Sequence, residues 1–220
     1  MNQHTSPPKG CSMQWCPTQW ARKVRVPLGF VTAALYIFEV ARQPAHGKAI
    51  AWSLALVLPG LALRAAASGT VKKNRELTVT GPYAYTRNPL YLGSMLIAAG
   101  FAVALQSWPL ALVLAAGFAV IYIPVIAGEE QFLRATFPGF DEYCRRVPRL
   151  VPRLRLHLGP AERQTVAPHD AADSGAAPAG FSGALYLKHH EYNAAIGAAL
   201  LYLSLLFLRP MLEYVLHLLG

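Results

Sequence analysis

The stretch "GPYAYTRNPLYLG", Gly81 to Gly93, lies where a polar segment gives way to a long apolar one. From Asn88 to Gly128 the chain runs for 41 residues without a Lys, Arg, Asp or Glu, which is enough for about two crossings of a bilayer. The sequence "QSWP", residues 106–109, divides this run almost evenly. We therefore predict a helical hairpin that consists of Pro89 to Leu105 and Trp108 to Ala127.

The rest of the chain has a similar apolar character. Of 220 residues, 54% are hydrophobic and 14% are charged, which is too apolar for one ordinary water-soluble domain. Three further segments are long enough to cross a bilayer if the charges at their ends reach the surface: Val26 to Ala41, Ala49 to Ala67 and Tyr192 to Leu208. The predicted fold is an all-α polytopic membrane protein with about five transmembrane helices.

The net charge of +9 is explained by where the basic residues lie. If the N-terminus is cytoplasmic, 17 Lys and Arg residues face the cytoplasm, and only Arg42, Lys48 and Arg209 face the other side. This asymmetry is the positive-inside pattern of multi-pass membrane proteins. It predicts a bacterial inner-membrane protein in contact with membrane lipids, and it disfavours nucleic acid as a partner.

The predicted organisation has five parts. They are a cytoplasmic tail (1–25), a first transmembrane hairpin (26–67), a core made of a cytoplasmic loop, the second hairpin and an interfacial segment (68–155), a linker (156–187), and a C-terminal transmembrane helix (188–220). The interfacial segment has aromatic residues at helical spacing and should break at Pro138-Gly139. The linker is rich in Ala, Gly, Pro and Ser and shows no periodicity.

Arg87, Asn88 and Pro89 form the threshold of the second hairpin. Asn is a favourable N-cap, and Pro is favourable in the first helical turn, where its missing N–H costs nothing. Taken alone, these residues are typical of a capped membrane helix whose arginine contacts lipid phosphate.

The far end of the hairpin changes this interpretation. Two crossings of nearly equal length return Glu129 and Glu130 to the side of Arg87, and packed helices lie about 8 to 10 Å apart. The free N–H groups near Leu90 and Tyr91 suit a carboxylate or phosphate, whereas a glutamate suits a cation. Because adjacent residues point about 100° apart on a helix, we expect one Glu to face this site and the other to face water or a basic residue. A zwitterion with a further positive centre, such as an amino acid joined to a sulfonium, would fit.

At these residues the sequence resembles the isoprenylcysteine carboxyl methyltransferases and related phospholipid methyltransferases, integral membrane enzymes that use S-adenosylmethionine. Their pattern G-x-Y-x-x-x-R-H-P-x-Y-x-G, followed by Glu-Glu after the next apolar run, is matched at Gly81, Tyr83, Arg87, Pro89, Tyr91, Gly93, Glu129 and Glu130. The resemblance covers about residues 70–155.

The resemblance implies S-adenosyl-L-methionine as the cofactor, bound in a cytoplasmic cofactor pocket, and an amphipathic or lipid-like substrate that enters from the bilayer. It implies that the cofactor is contacted by Arg75, Glu76, Leu77, Thr78, Tyr83, Asn88, Pro89, Leu90, Tyr91 and Glu129. Arg87 and Glu130 are the expected catalytic residues.

The sequence departs from the family pattern at two positions. The family's His is Asn88 here, which does not titrate near neutral pH, so this side chain is not a general base. The prenylcysteine enzymes place a substrate-binding Arg four residues before the Glu pair, where this chain has Val125. Possible replacements are Arg134, Arg145 and Arg146, although each is also typical of a basic patch that faces solvent or lipid.

We expect carboxyl O-methylation of an isoprenylcysteine-like acid. Phospholipid N-methylation and thiol S-methylation are the alternatives within the enzyme class, and a non-catalytic transporter or lipid-binding scaffold is the alternative of another class. No metal site is expected, because the cysteines are three in number and His189-His190-Glu191 lacks further ligands at suitable spacing. We interpret these three residues as an interfacial cap for the last helix.

Overall fold

The computed structural model describes residues 17–42, 46–70, 77–152, 182–188 and 190–219. The elements are α1 (Pro17–Arg42), α2 (Gly47–Thr70), a short 3₁₀ helix (Gly81–Ala84), α3 (Pro89–Leu105), α4 (Trp108–Thr136), α5 (Phe140–Arg146), α6 (Gly183–Lys188) and α7 (Tyr192–Leu219). All regular secondary structure in the described residues is helical, which confirms the all-α fold.

Each of the five predicted apolar segments forms a helix. Helix α3 has the predicted bounds, whereas α4 continues past Ala127 to Thr136 and α7 continues past Leu208 to Leu219. Within the described residues, α2 and α4 are long and apolar enough to cross a membrane, and α3 and residues 192–208 are apolar but shorter. Membrane association is therefore supported, and the number of crossings stays a prediction.

The turn between α3 and α4 forms at the predicted "QSWP" sequence. Gln106 ends α3 in the left-handed conformation, with φ of 50°, and its N–H donates to the carbonyl groups of Ala102 and Val103. Ser107 caps α4, because its hydroxyl accepts a hydrogen bond of 3.2 Å from the N–H of Leu110. A tight turn of this kind makes α3 and α4 consecutive antiparallel helices.

Helices α2 and α3 approach each other closely because glycine lies at their contact. A Cβ atom on Gly93 would lie 2.7 Å from the carbonyl oxygen of Gly60 and 2.6 Å from Cγ of Arg64. One on Gly100 would lie 2.5 Å from a methyl group of Val57. These distances are shorter than van der Waals contact. The packing holds the side chain of Arg64 against the first turns of α3.

Polar pairs join the remaining helices within the apolar bundle. The hydroxyl of Tyr36 in α1 lies 2.7 Å from that of Ser204 in α7, and the hydroxyl of Ser53 in α2 lies 2.5 Å from that of Tyr202 in α7. Tyr202 also packs against Phe101 of α3, with ring centroids 4.9 Å apart. Helix α7 therefore closes the bundle against α1, α2 and α3.

After α4 the chain folds back towards the start of α3. Helix α4 ends before Pro138, and Gly139 has φ of 94°, so the predicted break at Pro138-Gly139 is confirmed. Beyond α5, the carbonyl group of Pro148 accepts a hydrogen bond of 2.9 Å from the N–H of Arg87, and that of Leu150 accepts one of 3.0 Å from the hydroxyl of Thr86. The segment after α5 is therefore fixed beside the threshold of the hairpin.

Two of the predicted parts lie largely outside the described residues, namely the tail (1–25) and the linker (156–187). The described end of the linker contains α6. The N–H of Ser182 donates a hydrogen bond of 2.9 Å to the carbonyl group of Gly69. This bond attaches α6 to the end of α2.

Gly93→Ala should lower the stability of the protein by about 1 to 3 kcal/mol, because the added methyl group enters a contact that has no room for it. The matched control is Gly197→Ala in α7, where a Cβ atom would have no neighbour within 4 Å. Apparent unfolding temperatures in detergent measure the difference. Equal temperatures for the two variants would contradict close packing at Gly93.

Candidate active site

A cavity of about 1470 Å³ lies between α1, α3, α4 and α7. Its residues on α4 run from Leu110 to Leu133, a distance of about 35 Å at 1.5 Å per residue. Charged and phenolic groups lie at the end formed by the start of α3 and the end of α4. Apolar side chains such as Leu28, Phe101 and Leu114 line the remainder.

The polar end brings together the residues that the sequence predicted. Every predicted site residue that the structure describes lines this cavity: Leu77, Thr78, Tyr83, Arg87, Asn88, Pro89, Leu90, Tyr91, Glu129 and Glu130. Arg75 and Glu76 lie outside the described residues. Residues more than 40 positions apart thus share one cavity, while their roles in binding and catalysis stay predictions.

Asn88 occupies the N-cap position of α3, but its side chain makes no capping hydrogen bond. The predicted capping by this side chain is therefore wrong. Instead, Nδ2 donates a hydrogen bond of 3.0 Å to the carbonyl group of Arg149, because the segment after α5 lies directly against the threshold. Asn88 is buried and connects two parts of the chain.

Glu130 is a buried carboxylate shared by two arginines. Its Oε1 lies 3.1 Å from Nη1 of Arg87, and its two oxygens accept hydrogen bonds of 3.1 Å and 2.5 Å from Nε and Nη2 of Arg149. The expectation that one glutamate faces a basic residue is met by Glu130. Arg87 is therefore already paired, and its Nη1 also lies 2.9 Å from the sulfur of Cys144.

Glu129 projects differently from its neighbour. It is exposed and accepts a hydrogen bond of 3.1 Å from the hydroxyl of Tyr91. The ring of Tyr91 packs against Tyr122 with centroids 4.9 Å apart, and Tyr122 stacks on Phe118 at 4.7 Å. A carboxylate at the edge of an aromatic wall attracts a cation by charge and by the ring faces.

Tyr83 and Tyr143 are two further tyrosines of the site, and both lie outside the long helices. The hydroxyl of Tyr143 donates a hydrogen bond of 2.7 Å to the carbonyl group of Tyr83. Burial raises the pKa of both phenols far above the usual value. Both side chains are consequently neutral at physiological pH and serve as hydrogen-bond donors or packing groups rather than bases.

Arg64 of α2 also lines the cavity, although it is not among the predicted site residues. Its Nη2 lies 2.7 Å from Oε2 of Glu191, and its Nη1 donates to the hydroxyl of Ser94 and, at 3.5 Å, to the carbonyl group of Leu90. Glu191 is thus the partner of Arg64 as well as a residue before α7. A charge inside an apolar span is the signal that could have identified Arg64.

The arginines named as replacements for the missing one at Val125 lie elsewhere. Arg134 pairs with Asp141 at 2.7 Å and Arg146 pairs with Glu142, all on exposed side chains, and Arg145 is exposed. None of the three arginines is among the residues that line the cavity, whereas Val125 is. The site has an apolar group at the position of the family's arginine.

Residues 61–139 match the family model described as phospholipid methyltransferase. The chain is 42% identical over 88 residues to the cobalt-zinc-cadmium resistance protein CzcN of Cupriavidus metallidurans, a match covering 40% of this chain and 41% of that protein. It is also 42% identical over 85 residues to the nickel-cobalt-cadmium resistance protein NccN of Alcaligenes xylosoxydans xylosoxydans, covering 39% and 40%. The chain therefore spans about two fifths of the length of the curated relatives that it matches. No solved structure matches.

The family match lies over α2, α3 and α4, which supply most of the polar end of the cavity. It confirms the resemblance drawn from the motif. The matched segment is the one that holds Arg64, Arg87 and the Glu129-Glu130 pair.

Glu130→Gln should destabilise the protein by about 3 kcal/mol, because it leaves Arg87 partly buried without its counter-charge. The matched control is Glu142→Gln, which removes an exposed pair on α5 and should change stability by less than about 0.5 kcal/mol. Thermal unfolding in detergent measures both. A Glu130→Gln protein as stable as the control would contradict a structural role for the shared carboxylate.

Proposed function

We propose that this protein is an S-adenosylmethionine-dependent membrane methyltransferase that acts on a hydrophobic acceptor. The observation that carries the proposal is one cavity whose polar end holds charges of both signs and whose apolar part continues along α4 towards Leu110. A cofactor with several charges and an acceptor with a hydrocarbon chain can meet in such a cavity. The match of residues 61–139 to phospholipid methyltransferases supports the reaction class.

The residues at the polar end fit the proposed cofactor. Glu129 has accepting capacity beyond its hydrogen bond from Tyr91, and the aromatic wall next to it suits a sulfonium or ammonium group. The first turn of α3, near Leu90, presents backbone N–H groups suited to a carboxylate. When bound, S-adenosylmethionine supplies an electrophilic methyl group.

The ionisable groups of the site favour an acceptor that needs no deprotonation. Asn88 does not titrate, Glu130 is paired with two arginines, and the phenols of Tyr83 and Tyr143 are neutral at physiological pH. A carboxylate needs no base. One of its oxygens forms the bond to the methyl carbon, the bond from that carbon to sulfur breaks, and the electron pair stays on sulfur. We therefore propose carboxyl O-methylation of an isoprenylcysteine-like acid.

Phospholipid N-methylation is the second candidate, favoured by the name of the matching family. An ammonium acceptor must first lose a proton, and the exposed carboxylate of Glu129 is the group that would accept it. The relatives named for metal resistance raise the separate expectation of a metal site. Among the residues that the structure describes, no group of three potential ligands supports one.

We propose that the protein is a multi-pass inner-membrane protein with this site at the cytoplasmic face. The distribution of Lys and Arg supports that orientation. Large apolar side chains are widely exposed on the long helices, including Phe30, Trp52, Leu112 and Phe207, and an apolar surface of that extent is typical of contact with lipid. The acceptor would then reach the cavity laterally from the bilayer.

S-adenosylhomocysteine should bind the detergent-purified protein, and Tyr91→Phe and Glu129→Gln should each weaken binding about tenfold by removing one hydrogen bond or charge. Tyr85→Phe is the control, because Tyr85 is exposed and is not among the residues that line the cavity. Isothermal titration calorimetry measures the dissociation constants. Failure to detect binding at millimolar ligand would favour a non-catalytic scaffold.

Methyl groups transferred to membrane extracts should be base-labile. Incubation with radiolabelled S-adenosylmethionine, followed by alkali, should release the label as volatile methanol, because esters are hydrolysed and N-methyl groups are not. Protein with Glu129→Gln provides the background. Label that stays non-volatile after alkali, on a methylated amine head group, would instead support phospholipid N-methylation.

A further inference from the structure

The guanidinium group of Arg64 is only partly used by its neighbours. Nη1 donates to Ser94 and Leu90, and Nη2 makes one bond to Glu191. Nε is buried and has no hydrogen-bond partner among the residues that the structure describes. Nε and Nη2 form one edge of the guanidinium, and this edge binds carboxylates and phosphates through two parallel hydrogen bonds. Half of that edge is therefore unpaired.

Helix packing fixes this edge at the polar end of the cavity. The side chain of Arg64 passes over Gly93 so closely that a Cβ atom there would lie 2.6 Å from its Cγ. Arg64 and Arg87 are the two basic residues among those that line the cavity, and Arg87 is committed to Glu130. Nε of each arginine is buried without a partner among the described residues, but the carboxylate that pairs with Arg87 is also held by Arg149, whereas the described ion pair of Glu191 is with Arg64 alone.

Arg64 lies on a different side of the cavity from Glu129 and the aromatic residues beside it. Arg64 contacts Leu90 and Ser94, which lie one turn apart on the side of α3 that packs against α2. Tyr91, by contrast, packs against Tyr122 of α4, because neighbouring residues on a helix point about 100° apart. The guanidinium edge of Arg64 and the carboxylate of Glu129 therefore lie on different sides of the cavity. This arrangement suits one anionic and one cationic ligand group.

Glu191 already places a carboxylate on this arginine. It precedes α7, and its side chain is 14% exposed, while that of Arg64 is 23% exposed. Its single bond of 2.7 Å leaves Nε free. A carboxylate or phosphate that engages both nitrogens makes a stronger contact than this one, so a ligand can displace Glu191.

We propose that Arg64 is the specificity-determining residue that binds an anionic group of the methyl acceptor, and that Glu191 occupies this position until the acceptor displaces it. The acceptor is then an amphiphile that carries a carboxylate or a phosphate beside its hydrocarbon chain. This inference rests on the proposed methyltransferase function, since it assigns a substrate class to the same cavity.

The test uses the full chain in lipid nanodiscs and three probes. N-acetyl-S-farnesylcysteine carries the carboxylate, its primary carboxamide is the neutral match, and a lysophosphatidate carries the phosphate. Equilibrium binding is measured for the wild type, Arg64→Gln, Arg64→Lys and Glu191→Gln, together with the affinity for S-adenosylhomocysteine.

The wild type should prefer the acid or the phosphate to the carboxamide by about 10- to 100-fold, the value of hydrogen bonds to a charged group. Arg64→Gln should abolish this preference, and Arg64→Lys should retain part of it, since lysine keeps the charge but not the planar edge. Glu191→Gln should tighten acid binding by removing the competing carboxylate. Whichever anion is preferred identifies the source of the group.

An ion pair with only a structural role predicts a different result. In that case Arg64→Gln and Glu191→Gln would weaken the acid and the carboxamide equally, and this outcome overturns the proposal. A loss of S-adenosylhomocysteine affinity in Arg64→Gln with the acid preference intact would also overturn it. If the wild type binds no S-adenosylhomocysteine, the methyltransferase proposal fails, whereas binding of the acid through Arg64 is still decided by the probe series.

Discussion

The buried carboxylate of Glu130, placed between Arg87 and Arg149, is the interaction on which the rest of the site depends. Removing a carboxylate from water costs several kcal/mol unless opposite charge and hydrogen bonds replace the solvent. The partners come from the threshold of α3 and from the segment after α5. Because both must be present, the end of α4, the start of α3 and the returning segment are fixed together.

This arrangement changes the interpretation of the charges that the sequence predicted for the site. Arg87 stands next to the first turn of α3 and pairs with Glu130, whose carboxylate Arg149 also holds. Glu129 remains exposed at the rim beside Tyr91. Arg64, which comes from α2, supplies the remaining positive charge through close packing against Gly93. The ion pairs at the polar end therefore differ in how many of their hydrogen-bonding groups are used. Those with unused groups are suited to binding ligands.

The cavity also explains why an apolar helical bundle carries such a site. Its apolar part follows α4 towards Leu110, while the charged end lies where the helices leave their longest apolar stretch. An acceptor with a hydrocarbon chain can keep the chain in an apolar environment and present its head group to the charges. Large exposed apolar side chains on the outer faces of the helices are compatible with entry from the bilayer.

The sequence by itself determined the features that depend on local pattern. Apolar runs, the "QSWP" turn and the break at Pro138-Gly139 predicted the helices, since helix bounds follow from composition and from capping residues. The nearly equal lengths of the two predicted crossings, Pro89 to Leu105 and Trp108 to Ala127, also predicted that Glu129-Glu130 would return to Arg87. The motif identified residues that now line one cavity.

Only the tertiary structure decided which charges pair. Arg149 lies 19 positions from Glu130 and Glu191 lies 127 positions from Arg64, and no local periodicity relates such positions. The side chain of Asn88 was predicted to cap α3, yet it binds the carbonyl group of Arg149, in the segment that follows α5. Ion pairing inside a protein is set by burial and by which helices pack together, and these follow from contacts between distant parts of the chain rather than from the order of neighbouring residues.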